Sequence, residues 1–422
     1  MTTSWLFLAV SIYGALYTLV AYRPPRWSIG VGPVFFAHWL TTELATHHLV
    51  WQAVATVVFA RLGAFSHWPG WVGLGITALS WAGLVGLVRQ AHRVETAVEE
   101  ALRDGLGGEY RAELGGRFDS RQRLPRYRLA MAFHFRRRDV QRVASVPYGP
   151  YGRRNTLDVW HHREPAERAP VLFWIHGGGW VIGHKAQQAL PMLNHMAAQG
   201  WICVSINYRL SPRSKFPDHL VDVKRALAWV RSHIAEYGGD PSFVLVTGGS
   251  AGGHLAALTA LTANDPEYQP GFETADTSVQ ACVPFYGVYD LTNRLRSHPP
   301  IEGWGFVRFL ERRVMGVRLR DDPDAFAKAS PVDRVHPDAP PFFVIHGDQD
   351  VLAPVADARE FVQRLRSVSK EPVAYLELRG AQHAFEVFHS IRTTHVVRGV
   401  ERFGAWAHTR HAAKHVGARE AR

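Results

Sequence analysis

A serine enclosed by glycines is the strongest chemical signal in the sequence. The pentapeptide G-G-S-A-G occupies residues 248–252 and fits the pattern G-x-S-x-G, with Ser250 at its centre. An apolar, β-branched run precedes it and an alanine- and leucine-rich run follows, which predicts a tight strand-to-helix turn. Such a turn holds the hydroxyl at the edge of a sheet, near the positive end of a helix, where serine can act as a nucleophile. A purely structural turn is the alternative, and the strand before the serine and the helix after it argue against that.

A second glycine-rich segment, HGGGW at 176–180, follows an apolar run that is typical of a buried strand. Glycines leave backbone N–H groups free to point into a cavity. The N–H groups of Gly178 and Gly179, with that of Ala251, could hold the negative oxygen of a tetrahedral intermediate. A phosphate-binding loop is the alternative, but the segment lacks the following lysine and hydroxyl and does not give G-x-G-x-x-G. We therefore predict an oxyanion hole.

A nucleophilic serine needs a base, and the chain has 23 histidines. In hydrolases with this serine turn, the acid and then the histidine follow the nucleophile along the chain. One later apolar run ends in a loop with Asp348 and Asp350, and the next ends in a loop with His383. Both loops are expected at the carboxyl edge of a parallel sheet, beside Ser250. We predict His383 as the general base and Asp350 as its acid partner, whereas Asp348, directly after a glycine, caps the turn.

The elements around these residues predict the fold class. From about residue 143, short apolar runs alternate with segments of helical spacing, such as 218–237 and 252–262, which indicates α/β with a largely parallel sheet. His176 and His254 are interpreted as packing or loop-orienting residues. Strands are predicted at 155–160, 171–176, 202–208, 243–247, 281–285, 341–346 and 373–378.

The first ninety residues differ from the rest of the chain. Residues 5–22 carry no charge and are long enough to cross a bilayer as a helix, and residues 68–88 form a second uncharged run. Between them, residues 31–65 are apolar but interrupted by charged and histidine side chains, and they fit either one span or a hairpin of two short helices. A cleaved secretory signal is the alternative for the first run, which lacks a basic flank before it and a small-x-small cleavage site.

Arginines that flank these runs predict the orientation in a membrane. Arg23 and Arg26 follow the first run, and Arg89 and Arg93 follow the last one. Flanks rich in arginine face the cytoplasm. Three crossings satisfy both flanks and leave the rest of the chain cytoplasmic, whereas four would place it outside. We predict an integral, multi-pass membrane protein with a cytoplasmic catalytic part.

Residues 94–142 are predicted to form a polar, helical connector. Its segment 121–142 contains eight arginines and one acid, Asp139, with apolar side chains interleaved. Beside a membrane anchor, such a stretch is expected to bind a lipid surface. A solvated helix that covers the next domain is the alternative.

The net charge and the motifs that the chain lacks limit which kinds of binding partner are expected. The net charge of +11 suits nucleic acid or an anionic membrane surface, but the chain has no zinc-finger spacing, RNA-binding signature or heptad repeat, which argues against nucleic acid. Cys203 and Cys282 lie in apolar runs and are expected as buried side chains rather than as a disulfide.

Six motifs in order resemble the hormone-sensitive-lipase group of esterases and lipases (bacterial family IV, α/β-hydrolase fold-3), over roughly residues 145–405. The resemblance implies an α/β-hydrolase fold with a mostly parallel central sheet and a helical cap, here preceded by a transmembrane helical segment. It also implies a triad of Ser250, Asp350 and His383. The motifs are HGGGW at 176–180, YRLSP at 208–212, FP at 216–217 with Asp222, GGSAGG at 248–253, HGDQD at 346–350 with Leu352, and the histidine loop at 383.

The chain departs from this family at two positions that do not carry the reaction. An acid often precedes the serine, where this chain has Gly249, and Ser211-Pro212 stands where Ala-Pro is usual. The N-terminal membrane part is absent from most soluble members. It is similar to that of the actinobacterial, membrane-associated branch of lipases and esterases.

The resemblance also implies where a cap over the site would come from. N-terminal helices and an insertion after the sixth strand form it in the family, which corresponds here to 94–142 and to 291–340 with Trp304, Phe306, Phe309 and Leu310. The predicted division is membrane-anchoring helices at 1–93, a connector and candidate cap at 94–142, a catalytic domain at 143–407 and a polar, frayed tail at 408–422.

Together these signals predict a serine carboxylesterase or lipase that acts through an acyl-enzyme, without metal or cofactor. Its expected partners are small-molecule or lipid esters and membrane lipid. An amidase or arylformamidase could use the same triad. A receptor that has lost catalysis and a membrane structural protein are alternatives of another class; the first conflicts with the complete triad and the second with the two glycine loops.

Overall fold

The computed structural model describes residues 1–23, 31–116, 118, 123–164, 166–298 and 305–420. Its centre is one sheet, and the apolar runs of the sequence supply most of its strands. The strands are β1 (Val140–Pro147), β2 (Thr156–His162), β3 (Ala169–Ile175), β4 (Ile202–Ile206), β5 (Gly239–Gly249), β6 (Ala281–Phe285), β7 (Phe342–Gly347) and β8 (Val373–Leu378).

The strands are ordered β1-β2-β4-β3-β5-β6-β7-β8 across the sheet. β1 and β4 pair with β2 in antiparallel fashion, and all other neighbours in this order are parallel. The inner strands β4, β6 and β7 are buried along their whole length, which explains their continuous apolar runs. The predicted α/β class with a mostly parallel sheet is confirmed. β1 is not among the predicted strands, because this edge strand buries only Val140.

Helices cover both faces of the sheet and also form a separate group at the N-terminus. Short turns of 3-10 or π helix, such as Leu310–Met315, connect some of them. The helices are α1 (Thr2–Tyr22), α2 (Val31–Glu43), α3 (Ala45–Arg61), α4 (Trp68–Leu106), α5 (Arg126–Ala130), α6 (Leu190–Ala198), α7 (Asp218–His233), α8 (Ala251–Leu261), α9 (Phe306–Phe309), α10 (Pro323–Lys328), α11 (Val355–Val368) and α12 (Ile391–Glu420).

Two apolar layers hold the helices to the sheet. Neighbouring residues of β3 point to opposite faces, so Phe173 belongs to the layer with α7, α8 and α11, whereas Trp174 belongs to the layer with α4, α6 and α12. Both side chains are fully buried. Burial of one such side chain stabilises the fold by roughly 1.5–3 kcal/mol.

Helix α4 joins the N-terminal helices to the catalytic domain. It packs on α1 and also on β8 and α12. The predicted boundary at residue 93 therefore lies inside one continuous helix. The physical reason is that Val94, Val98 and Leu102 continue the buried stripe at helical spacing beyond the apolar run.

The predicted polar tail is helical instead of frayed. Helix α12 continues without a break through residue 408 to Glu420, while residues 421 and 422 lie outside the described residues. Lys414 forms an ion pair with Glu371 at 3.1 Å. Residues 412–414 of this segment are exposed, which fits the polar composition of the segment.

Two glycines of α4 test how closely this helix packs on the sheet. A Cβ at Gly105 would lie 2.3 Å from the Cα of Ala374 in β8, whereas one at Gly75 would have no neighbour within 4 Å. We predict that Gly105→Ala lowers the free energy of unfolding by about 1–3 kcal/mol, because the two backbones must separate. Gly75→Ala, the matched control, should be neutral or stabilising, since alanine favours a helix by up to about 1 kcal/mol. Thermal unfolding of the detergent-purified full chain measures both; equal melting temperatures would contradict the packing.

Candidate active site

Ser250 lies on a sharp turn between β5 and α8. Its backbone has φ 58° and ψ −121°, a strained conformation for a residue with a side chain. The N–H of Ser250 donates to the carbonyl of Phe285 at 3.0 Å. A Cβ at Gly252 would lie 2.1 Å from the carbonyl oxygen of Ile175, and one at Gly248 would lie 2.4 Å from that of Gly252. The flanking glycines are therefore required for the turn to close.

The upstream glycine loop contacts this turn directly. A Cβ at Gly177 would lie 3.1 Å from the Cβ of Ser250. Gly178 has φ 117° and Gly179 has φ 58°, conformations that favour glycine. Ala251 is the first residue of α8. The structure thus brings the loop of Gly178 and Gly179 next to the turn of Ser250 and Ala251.

The predicted base and acid form a short, buried hydrogen bond. Nδ1 of His383 lies 2.6 Å from Oδ2 of Asp350. The other carboxylate oxygen accepts the N–H groups of Leu352 and Ala353, each at 2.8 Å. Burial raises the pKa of Asp350, but the charge and hydrogen bond of His383, the charge of His346 and the N–H of Ala353 together outweigh burial, and the net pKa lies below the usual range. An ionised Asp350 accepts the proton on Nδ1, which leaves Nε2 as the basic nitrogen.

Asp348 has a different environment. It accepts the N–H of Gly380 at 2.6 Å, and its own N–H donates to Leu378 at 3.1 Å, so it fixes the start of the loop that carries His383. Burial raises the pKa of Asp348. The structure therefore places Asp350 against the histidine and gives Asp348 the turn-capping contact that the sequence predicts for it.

Gln382 links the acid loop to the histidine, a role that sequence analysis missed. Its side-chain oxygen accepts the N–H of Val351 at 2.9 Å and the N–H of His383 at 3.0 Å. One amide group thus ties the two loops together. A glutamine directly before the predicted base is the sequence signal that could have pointed to it.

A buried Tyr286–Glu386 pair beside the histidine was also missed. The ring of Tyr286 lies 4.5 Å from the ring of His383, and its hydroxyl donates to Glu386. Burial raises the pKa of Glu386 to about 7. A Cβ at Gly249 would lie 2.7 Å from the hydroxyl oxygen of Tyr286. The glycine that departs from the family pattern therefore makes room for this pair, and that departure is the signal that could have revealed it.

Two further histidines near the site make structural contacts, as predicted. His176 is stacked on Tyr208 at 4.4 Å, and His254 lies between the indole N–H of Trp180 and the carbonyl of Ala329, at 3.2 and 2.7 Å. Burial lowers the pKa of each histidine to about 4, so both are neutral at physiological pH. Within the described ranges, no three His, Cys, Asp or Glu side chains are grouped as metal ligands would be.

The predicted cap segments differ in what they cover. Phe309 of α9 lies 3.6 Å from a Cβ built on Gly179, so this part of segment 291–340 lies next to the glycine loop; Trp304 lies outside the described residues. Residues 94–106 of the connector belong to α4, which packs on β8 and α12. Further along the connector, the carbonyl of Ala132 accepts the N–H of His389 at 2.9 Å. Residues 117 and 119–122 of the connector lie outside the described residues.

Comparison with known proteins identifies the family. Residues 157–365 match the BD-FAE family. The chain is 43% identical to the probable carboxylic ester hydrolase LipM of Mycobacterium tuberculosis, over 97% of this chain and 95% of LipM. It is 42% identical to the esterase LipQ of the same organism, over 87% of this chain and 83% of LipQ. The chain belongs to the hormone-sensitive-lipase-type esterases.

Membership of this esterase family makes the protein a carboxylic ester hydrolase, and the relatives give the amidase alternative no support. Esterase 2 of Thermogutta terrifontis with bound butyrate is 26% identical, has a TM-score of 0.51, and covers 61% of this chain and 92% of that chain. The catalytic part of the esterase therefore has the α/β-hydrolase fold. The alignment with LipM covers nearly the whole chain, so it includes N-terminal helices.

Isosteric variants can distinguish the roles of Asp348 and Asp350 in the esterase. Asp350→Asn should lower kcat by about 10⁴-fold, because an amide no longer enforces the tautomer with a basic Nε2 on His383. Asp348→Asn should retain most of the turnover and lower the melting temperature, since it weakens only the contact to Gly380. Hydrolysis of a short aryl ester measures kcat for both. A larger loss of kcat in Asp348→Asn would reassign the acid.

Proposed function

We propose that the esterase works through a Ser250–His383–Asp350 triad and an acyl-enzyme. The observation that carries this proposal is the buried hydrogen bond of 2.6 Å between His383 and Asp350. The strained serine turn and the glycine loop in contact with it support the proposal. Ester hydrolysis by a serine requires three features: a histidine base held in one tautomer, an accessible serine nucleophile, and backbone N–H groups that can donate to the oxyanion.

In the proposed reaction, the hydroxyl oxygen of Ser250 attacks the ester carbonyl carbon while Nε2 of His383 takes its proton. The N–H groups of Gly178, Gly179 and Ala251 stabilise the oxyanion. The carbon–oxygen bond to the alcohol then breaks, and the alcohol leaves with the proton from His383. Water attacks the acyl-enzyme with His383 again as the base, which releases the acid and restores the serine.

Removal of the nucleophile tests this proposal. Ser250→Ala should abolish labelling by a fluorophosphonate probe and nearly all hydrolysis of aryl esters, because the attacking oxygen is gone. In-gel fluorescence of the full chain measures labelling, and Ser242→Ala, a serine of β5 away from the turn, is the matched control. Labelling of Ser250→Ala at the wild-type rate would overturn the assignment.

We further propose that the N-terminal helices hold the enzyme in a membrane, where it acts on apolar or lipid-like esters. Helices α1 and α4 are long and apolar enough to cross a bilayer. Where they pack together, hydroxyl pairs meet: Thr18 with Ser80 at 2.8 Å and Thr77 with Ser11 at 3.0 Å. Hydroxyl side chains between helices are typical of membrane packing. Exposed large apolar side chains of α1, α3 and α4 include Trp5, Leu6, Ile12, Leu16, Leu19, Val50, Val54, Val57, Trp71, Val72 and Leu79.

The packing of these helices supports three crossings. Trp5 near the start of α1 contacts Trp68 at the start of α4, with ring centroids 5.3 Å apart. At the other end, the hydroxyl of Tyr22 donates to the carbonyl of Gly83 at 2.7 Å. The two helices are therefore parallel, and a chain that returns between them needs a crossing in the opposite direction. We assign that crossing to α3, which has 17 residues and is shorter than α1 and α4 and less apolar than α1 and the apolar part of α4. Arg23 then lies towards the catalytic domain, which favours a cytoplasmic site; residue 26, the other predicted arginine of this flank, lies outside the described residues.

The arginine-rich segment supports contact with lipid headgroups. It lies next to the N-terminal helices, since a ring nitrogen of His47 lies 3.1 Å from the carbonyl oxygen of Ala130. Tyr127, Met131 and Phe133 in this segment are each more than half exposed. Cationic and apolar side chains on one surface suit an anionic membrane. The arginines that line a groove of about 1250 Å³ here are Arg128, Arg136, Arg137, Arg138, Arg142 and Arg163.

Washing of membranes with salt or carbonate shows whether the apolar helices or the charge of the arginine-rich segment holds the protein there. The full chain should stay with membranes through high-salt and carbonate washes, because salt does not weaken the burial of apolar helices as it screens charge. The variant Arg136→Gln/Arg137→Gln/Arg138→Gln should stay as well, since it leaves the apolar helices in place; besides the charge attraction, it removes the ion pair of Arg137 with Asp139. Immunoblots of pellet and supernatant measure both. Full-length protein in the supernatant without detergent would contradict the anchor, and release of the triple variant alone would assign the association to charge.

A further inference from the structure

Helix α2 lies along the loop that carries His383. We call residues 379–390, between β8 and α12, the histidine loop. The indole N–H of Trp39 donates to the carbonyl of Ala384 at 3.0 Å, although the two residues are 345 positions apart in the sequence. The ring of Trp39 also packs on that of Phe388, with centroids 5.0 Å apart. One residue of α2 thus contacts the histidine loop directly after His383 and again near its end.

The backbone at the first of these contacts is strained. Ala384 has φ 61°, in the left-handed region that residues with a side chain disfavour. Such a conformation persists only where the surroundings hold it. The hydrogen bond from Trp39 is made to the carbonyl of this same residue, one position after His383. The N–H of Val387 donates to the same carbonyl at 3.4 Å, so the contact from α2 is the shorter of two that fix the backbone next to the imidazole.

A buried ion pair holds the end of the histidine loop to the same helix. Glu43 at the end of α2 lies 3.3 Å from the guanidinium of Arg392, and each side chain is 1% exposed. The hydroxyl of Ser390 donates to the other oxygen of Glu43 at 2.8 Å. Among the described residues, neither Oε1 of Glu43 nor Nε of Arg392 makes a hydrogen bond, so this pair is held by charge alone, and removal of one partner would leave the other charge buried. This pair fixes where the loop ends and α12 begins.

A third contact lies before the histidine. The side-chain nitrogen of Gln382 is 3.5 Å from Nδ1 of His38, while its oxygen holds the N–H groups of Val351 and His383. Along its length, α2 therefore faces the loop at three places: before, directly after and beyond the histidine.

We propose that α2 positions His383 for catalysis, so that the N-terminal helices are a working part of the active site as well as an anchor. This inference rests on the proposed triad. Trp39 and Glu43 act through the backbone of the histidine loop, and neither touches the substrate. Small displacements of a catalytic group away from its productive position lower turnover strongly. Turnover by His383 accordingly depends on the packing of α2, and substrate binding does not.

Replacement of the indole of Trp39 tests the proposal in a protein that stays folded. Trp39→Phe in the full chain keeps a smaller aromatic ring against Phe388 and removes the N–H that reaches Ala384. We expect kcat for an aryl ester to fall on the order of tenfold, with KM and the melting temperature unchanged. The rate of fluorophosphonate labelling should fall by a similar factor, since it needs the same base.

The matched control makes the same chemical change elsewhere in the N-terminal helices. The indole N–H of Trp71 donates to the carbonyl of Phe65 at 3.0 Å, so Trp71→Phe also removes one indole-to-backbone hydrogen bond. It should leave kcat at the wild-type value. If Trp39→Phe keeps wild-type kcat, or if both variants lose kcat equally, the positioning role of α2 is overturned.

The ion pair provides a second test with a conservative rescue. Arg392→Gln should lower kcat and the melting temperature, because Glu43 is left buried without its cation. Arg392→Lys, which keeps the charge, should recover part of kcat; no recovery in a folded protein would count against the role of the pair. Ser250→Ala separates failure of the triad from failure of the inference about α2. If Ser250→Ala is still labelled by the fluorophosphonate probe, the proposed triad is wrong. If Ser250→Ala is inactive but Trp39→Phe is fully active, only the inference about α2 is overturned.

Discussion

The hydrogen bond between His383 and Asp350 is the interaction on which the rest of the site depends. Asp350 has no exposed surface, so its charge persists because the imidazole of His383, two backbone N–H groups and the ring of His346, 3.5 Å away, take the place of water around it. The loops after β7 and β8 are shaped to bring these groups together, and Gln382 ties them at a fixed separation. In the triad that we propose, an ionised acid fixes the tautomer of the histidine, and a histidine in that tautomer can activate Ser250.

The same dependence extends into the N-terminal helices. Helix α4 runs unbroken from the apolar segment onto the edge of the sheet, and α2 covers the loop that carries the histidine. The N-terminal helices and the catalytic domain thus share one packed interface instead of a flexible linker. The active site of this esterase therefore has a defined position relative to the helices that we propose to lie in the membrane. A fixed position suits the proposed apolar esters, which would reach the site from lipid.

Apolar runs and short motifs in the sequence predicted the strands and the loops that follow them. The turn around Ser250, the glycine loop and the loops of Asp350 and His383 follow strands whose apolar runs are visible without a partner, and each predicted strand overlaps an observed one. Features set by distant packing were not predicted: β1 is a polar edge strand, and the helical character of the C-terminal segment follows from its place at the end of α12. The Tyr286–Glu386 pair joins residues 100 positions apart, and no local spacing predicts such a contact.

The proton between His383 and Asp350 can be observed by NMR. In the full chain labelled with ¹⁵N-histidine, proton NMR at neutral pH should show one strongly deshielded resonance on Nδ1 of His383, assigned by its absence in His383→Gln. A short, charge-assisted hydrogen bond to an ionised carboxylate produces such deshielding. The resonance should be lost in Asp350→Asn. Its absence from the wild-type protein, or its survival in Asp350→Asn, would contradict the account.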